Sequence, residues 1–196
     1  MSFQISDLKT GFAGHLLIAS PSLIGSPFSQ TVVFLCVHSA EEGAMGIVIN
    51  RKLDSPSSDN LLKQLGISPI PSHRNFSVCE GGPVESSHGL VLHSTDWHEN
   101  SCIPVNDDVM LSASLDILRE LSEGGGPEKA ILALGHANWA PNQLEEELKN
   151  NLWLFSPNTE FNEEIIYGTD YTQKWRKALK AIHIDPSRFS YQSGHV

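Results

Sequence analysis

The amino-acid sequence predicts an α+β fold: a single compact domain over residues 1–196, with a central, largely antiparallel β-sheet or barrel-like sheet and flanking helices. Three observations predict it. Apolar, β-branched runs of strand length are separated by short turns rich in Gly and Pro. Other segments carry apolar residues at helical spacing. No repeat, low-complexity tract or linker divides the 196 residues, a length that suits one domain.

The composition excludes two classes of protein. Hydrophobic residues make up 40% and charged residues 18%, which does not fit a disordered chain. No apolar run approaches the ~20 residues that a membrane-spanning helix needs. Residues 1–12 also lack the basic start and apolar stretch of a secretory signal. We therefore expect a cytoplasmic chain with no membrane partner.

The strands are predicted from the apolar runs between turns. TVVFLCVHS (31–39) is typical of a strand buried on both faces, and EEGAMGIVINRK (41–52) follows it as an antiparallel neighbour. Residues 14–20 form an earlier strand, and 76–94 contain two strands around a Gly-Gly-Pro turn. The central sheet should consist of the buried runs at 31–38, 45–50, 89–93 and 130–135.

The first predicted helices follow polar or glycine-rich turns. A short helix should end near Gly66. A longer one is predicted over 107–123, with Asp107 or Asp108 as its N-cap and the Gly-Gly-Gly-Pro stretch from 124 as its end. Leucines at 111, 115, 118 and 121 give it an apolar stripe. Pro141 suits the first turn of the next helix.

The last predicted helix, 172–182, is amphipathic. One side should dock on the core, and the other should be a solvated basic face. The docking residues are Trp175, Ala178, Leu179 and Ile182; the basic residues are Lys174, Arg176, Lys177 and Lys180. The whole chain has a net charge of −10. Residues 171–196 carry +4, so residues 1–170 carry −14. The basic face is either an ordinary solvated surface or a contact for an acidic partner or a nucleic acid.

The cysteines and histidines show no recognised catalytic or metal-binding spacing. Cys36, Cys79 and Cys102 are an odd, sparse set without CxxC, which suits a reducing compartment. We expect reduced, non-catalytic thiols, because no activating base is visible and Glu80 beside Cys79 would raise its pKa. The nine histidines form no HxH or HExxH motif, and no phosphate-binding glycine loop is present. No metal or other cofactor is therefore predicted.

The densest polar signals follow predicted strands. Arg51 closes one strand, Gly82 lies in a tight turn, and His93 ends another strand. The segment from Gly135 to Trp139 is expected to join a strand to a helix, where an anion can bind. If Arg51, Gly82, His93 and Trp139 converge, they line a small pocket for an anionic or planar ligand. Alternatively, the glycines only make turns, Trp139 anchors the helix, and Arg51 pairs with a structural carboxylate.

Several segments in series resemble the AlgH/YqgE family of bacterial cytoplasmic proteins. They are residues 14–53, 81–94 and 124–153, together with the closing SGHV at 193–196. The resemblance implies an α+β domain with a sheet or barrel-like sheet, but no particular reaction; the family name comes from a proposed role in regulating alginate genes. The pattern of the family matches at His38, Pro83, Leu144, Glu145 and the seven pocket candidates. These candidates are Asn50, Arg51, Gly81, Gly82, His93, Trp139 and Gln143.

Departures from the family pattern limit what the resemblance says about a shared anion site. His88 occupies a position where the family commonly has arginine, so a permanently charged bidentate donor is absent. Two functions stay open. The first is a non-enzymatic, indirect regulator or adaptor of gene expression that binds a protein or small anion. The second is a metal-assisted hydrolase or nuclease that uses His93 and Glu145.

Overall fold

The computed structural model describes residues 11–39, 41–156 and 163–189; the closing segment 193–196 lies outside these ranges. The described strands are β1 (Leu16–Ala19), β2 (Val32–Ser39), β3 (Gly43–Val48), β4 (Ser77–Glu80), β5 (Val84–Ser94), β6 (Ile103–Pro104), β7 (Val109–Ser112), β8 (Ala130–Trp139) and β9 (Trp153–Ser156). The described helices are α1 (Ser58–Gln64), α2 (Asp116–Ser122), α3 (Gln143–Lys149), α4 (Glu163–Tyr167) and α5 (Lys174–Ala181). None of these helices is long and apolar enough to cross a membrane.

The strands form one sheet in the order β6-β7-β5-β8-β3-β2-β1-β9. All neighbours along this path are antiparallel, and β4 adds a parallel pairing to β8. Strand β8 pairs with β5 along one edge. Its other edge pairs with β4 at residues 131–134 and with β3 at 137–139. The predicted α+β fold with a largely antiparallel central sheet is confirmed.

Strand β2 is buried on both faces, as its sequence predicts. Phe34 and Cys36 belong to a core shared with α4 and α5, whereas Val33 and Leu35 belong to a second core shared with α3. This alternation follows from the two-residue repeat of a strand. A third core lies between helices α1 and α2 and strands β4, β5 and β8.

The predicted helix over 107–123 is wrong in its first part. Residues Val109–Ser112 form strand β7, which pairs with β5, and helix α2 begins only at Asp116. Leu111 is buried on the strand, while Leu115 is 45% exposed. The leucine spacing fits a helix, but the free edge of β5 takes this segment as a hydrogen-bonded partner, and tertiary pairing overrides local propensity.

The expected strand-to-helix junction from Gly135 to Trp139 is also wrong. These residues continue strand β8, because their backbone pairs with Val84 at His136 and with β3 at 137–139. Helix α3 begins at Gln143, after a turn with Asn142 in the left-handed conformation. The predicted anion site at this junction is therefore not formed.

The Gly-Gly turn packs directly on strand β8. Gly82 has φ +151°, and a Cβ there would lie 2.2 Å from the carbonyl carbon of His136. Gly66 also has a positive φ, +72°, but a Cβ there would meet no atom within 4 Å. Substituting each glycine in turn therefore distinguishes the cost of a positive φ, present at both positions, from the cost of steric overlap, present only at Gly82.

We expect Gly82→Ala to destabilise the chain by more than Gly66→Ala. The Gly66 change adds only the cost of a positive φ, roughly 1–2 kcal/mol, whereas Gly82→Ala adds overpacking of about 1–3 kcal/mol or more. Urea unfolding of both variants measures the difference. Equal losses of unfolding free energy would show that the close approach to His136 carries no cost.

Candidate functional site

The seven pocket candidates lie in three separate places. His93 pairs with Ala130 at one end of β8, and Trp139 is the last residue of that strand. Nine strand residues span about 30 Å, so these two side chains do not share a pocket. The expected convergence of Arg51, Gly82, His93 and Trp139 is contradicted.

The first place is the corner where β3 meets the Gly-Gly turn. Asn50 accepts a hydrogen bond from the backbone of Val32 at 2.8 Å and donates one to the carbonyl of Gln30 at 2.9 Å. Arg51 donates to the carbonyl of Pro27, and its guanidinium lies 4.0 Å from Glu80. The backbone of Gly81 accepts from Val48 and donates to Leu134, each at 2.8 Å. These contacts hold the corner together.

The second place joins β8 and β9 to helix α3 through one carboxylate. Glu147 accepts from the indole nitrogens of Trp139 and Trp153, both at 2.8 Å, with the same oxygen Oε2. Its other oxygen, Oε1, accepts from Gln143 at 2.8 Å. Trp139 therefore anchors helix α3, as the second of the two interpretations of the sequence proposed. Glu147 was not predicted, and its only sequence signal is the i, i+4 spacing from Gln143.

A buried histidine–glutamate pair connects β2 to the same helix. His38 Nδ1 accepts the backbone N–H of Phe12 at 3.1 Å, so the neutral ring carries its hydrogen on Nε2. Nε2 donates to Glu145 Oε1 at 2.9 Å. The two side chains are 1% and 9% exposed. With both ring nitrogens occupied, His38 has a structural role and no free lone pair for catalysis.

The third place is the buried ring of His93. Its Nδ1 donates to the carbonyl of Ser94 at 2.9 Å, and its Nε2 faces the Sγ of Cys102 at 3.7 Å. Burial lowers the pKa of the ring, and the backbone contact to Ser94 opposes this shift. Glu145, which contacts His38 instead, is not a partner of His93. The sequence makes no base visible for a cysteine thiol, whereas the structure places His93 next to Cys102.

Lys174 was expected to be solvated and is instead 1% exposed. Its Nζ donates to the carbonyl of Ile49 at 3.0 Å and to that of Ile166 at 2.7 Å, and it lies 4.5 Å from the ring centre of Tyr171. Burial lowers its pKa to about 8. This lysine ties α5 to the end of β3 and to α4, so it does not belong to the basic face.

The remainder of α5 is arranged as its sequence predicts. Trp175 donates to the carbonyl of Ala19 at 2.9 Å, and Ala178 and Leu179 are fully buried. On the outer side, Arg176 and Lys180 are exposed. Lys177 pairs with Glu164, but neither exposed cation has an ion pair within the described ranges.

A surface cavity of about 230 Å³ opens beside α4, and none of the seven pocket candidates lines it. Four carboxylates and one lysine line it, so it disfavours an anion. The lining residues are Ser94, Thr95, Asp96, Asp108, Glu128, Lys129, Glu163 and Tyr167. Across the part of the chain that the structure describes, no three His, Cys, Asp or Glu side chains are placed to hold a metal ion.

Comparison with known proteins identifies the family. A family model described as AlgH-like matches residues 16–187. A UPF0301 protein of Gluconobacter oxydans is 49% identical over 190 residues, covering 96% of this chain and all of that one. A UPF0301 protein of Rhodospirillum rubrum is 42% identical, with 93% of each chain covered.

Solved structures agree with this result. The solution structure of the AlgH protein from Pseudomonas aeruginosa aligns with this chain over the full length of both, with a TM-score of 0.74 and 30% sequence identity. A Corynebacterium diphtheriae protein shares the fold at a TM-score of 0.68 and 19% identity over 85% of each chain. The chain belongs to the AlgH-like, UPF0301 family.

The buried ammonium of Lys174 predicts a pH-dependent stability. Its pKa is about 8 in the folded chain and ~10.4 when unfolded. Between these values the unfolded chain binds more protons, so folding stability rises with pH. We expect wild type to gain about 2–3 kcal/mol relative to Lys174→Met between pH 7 and 10.

Urea unfolding at each pH measures this gain, and Lys180→Met is the control on the exposed side of the same helix. Cys36 and Cys79 act in the opposite direction, because burial raises their thiol pKa to about 12 and about 11. Both thiols are present in every variant, so the effect of their burial is common to all three chains, and the difference between wild type and Lys174→Met reports Lys174 together with its charge interaction with Cys79. A difference between wild type and Lys174→Met that stays flat with pH would contradict the assignment.

Proposed function

We propose that this AlgH-like chain acts without catalysis, as an adaptor or indirect regulator of gene expression, and that it binds an acidic protein partner through α5. The observation that supports the proposal is the pair of exposed cations, Arg176 and Lys180, on a chain of net charge −10. They have no intramolecular ion pair within the described ranges. Both side chains are therefore available to a partner.

The anchoring of α5 favours this surface. Trp175 and Lys174 fix the inner side by hydrogen bonds to Ala19, Ile49 and Ile166. A helix that is held rigidly before binding loses less conformational entropy when a partner docks, which leaves more of the interaction energy for affinity.

The alternative function, a metal-assisted hydrolase, depends on His93 and Glu145 acting together. It requires His93 and Glu145 at one metal site, but Glu145 is hydrogen bonded to His38 and His93 contacts Ser94 and Cys102. The geometry therefore favours the non-enzymatic function.

The number of free cations argues for a protein partner over a nucleic acid. Lys174 is buried and Lys177 is paired with Glu164, which leaves two of the four predicted basic residues. Two phosphate contacts would give a log-salt slope of about −1.8, whereas tight duplex binders make roughly six to ten contacts. The charge of the remaining surface would oppose that small attraction.

The proposal predicts that Arg176→Gln with Lys180→Gln weakens partner binding about tenfold, because each exposed pair contributes up to ~1 kcal/mol. The matched control is Lys63→Gln with Lys149→Gln, which removes two exposed lysines from α1 and α3 and changes net charge equally. Proteins captured from the native cells by the wild-type chain are identified first. Their dissociation constants are then measured for all three chains at several salt concentrations.

If both double variants weaken partner binding equally, the loss of affinity comes from net charge alone, which would contradict a specific binding surface on α5. Tighter binding to duplex DNA than to any captured protein would favour the hypothesis that the partner is a nucleic acid. Turnover of a nucleotide or nucleic acid that a chelator abolishes would favour the hydrolase instead.

A further inference from the structure

A cysteine–histidine pair lies at the end of β5, apart from α5. Cys102 lies immediately before the edge strand β6, between the exposed residues Ser101 and Ile103, and its side chain is partly accessible. His93 is fully buried beneath it. The Sγ–Nε2 distance of 3.7 Å lies within hydrogen-bonding range for sulfur.

The hydrogen bonds of His93 fix which nitrogen is basic. A carbonyl oxygen only accepts, so the 2.9 Å contact with Ser94 requires the hydrogen on Nδ1. The lone pair of the neutral ring is therefore on Nε2, and Cys102 is the hydrogen-bond partner of that atom in the described structure. Burial lowers the ring pKa, which keeps it neutral near pH 7, while Asp96 and Glu99 act against this shift and favour the imidazolium.

A backbone turn also supplies a donor to the sulfur. Cys102 N–H donates to the Glu99 carbonyl at 3.0 Å, and Glu99 N–H donates back to Sγ at 3.5 Å. An N–H donor of this kind stabilises negative charge that develops on sulfur during attack. The Glu99 carboxylate is held by the Ser101 hydroxyl at 2.5 Å.

We propose that Cys102 is a site of covalent modification by hydroperoxides, with His93 as its general base. Sγ attacks one oxygen of hydrogen peroxide, an S–O bond forms and the O–O bond breaks. His93 takes the thiol proton and passes it to the departing hydroxide, which leaves as water. Sulfur is oxidised by two electrons to the sulfenic acid, and the peroxide is reduced.

Cys36 and Cys79 serve as controls within the same molecule. Both are buried, and burial raises their thiol pKa values to about 12 and about 11. Neither has a histidine among its described hydrogen bonds. The arrangement at Cys102 therefore distinguishes one thiol of three.

The test is peroxide oxidation of the full chain at pH 7, with the sulfenic acid trapped by dimedone and assigned to each cysteine by mass spectrometry. A general base typically contributes a factor of ~10²–10⁴, so we expect Cys102 to react at least ~10-fold faster in the folded chain than in urea. Cys36 and Cys79 should react faster in urea than when folded. His93→Gln keeps a hydrogen-bond acceptor but no basic nitrogen, and it should remove the Cys102 advantage.

Cys102→Ser should abolish the fast signal, which confirms its assignment. A folded Cys102 that reacts no faster than the unfolded thiol would overturn the proposal, and this comparison needs no variant. Unchanged Cys102 reactivity in a folded His93→Gln chain would overturn the role of the base.

Discussion

The pairing of strand β8 on both edges is the constraint on which the remainder of the structure depends. One edge carries β5, and the other carries β4 and β3 end to end. At the change of partner, Gly82 must pass so close to His136 that no side chain fits. The same strand separates His93 from Trp139 by its whole length. It therefore determines both the glycine pattern and the division of the candidate residues into separate places.

The buried polar groups in α3 and α5 hold these helices on the sheet. Glu145 and Glu147 hold α3 to the sheet through His38 and two tryptophans. Lys174 performs the same task for α5 with its ammonium group. A buried charge is costly without hydrogen bonds. The hydrogen bonds of Glu145, Glu147 and Lys174 satisfy these groups, so a structural role accounts for them without catalysis. Cys102 differs because its partner His93 keeps a basic nitrogen directed at a partly accessible sulfur.

The sequence predicts the sheet better than the site, because periodicity reports burial and not contact between distant segments. The run at 31–39 reveals a doubly buried strand, but 109–112 has leucine spacing that also suits a helix. Helical projection places Lys174 on the basic side, because it cannot show that the carbonyls of Ile49, just after β3, and of Ile166 in α4 reach that position. The contact of His93 with Cys102 depends on how the loop after β5 folds back, which no spacing rule records.

Lysine footprinting of the chain with its captured protein partner tests the central claim most directly. Acetylation of Lys180 is measured with and without the partner, and the exposed Lys63 and Lys149 serve as internal references. Contact through the outer side of α5 predicts several-fold slower acetylation of Lys180 in the complex, with the references unchanged. Slower acetylation of Lys63 or Lys149 with Lys180 unaffected would place the partner elsewhere and contradict the account.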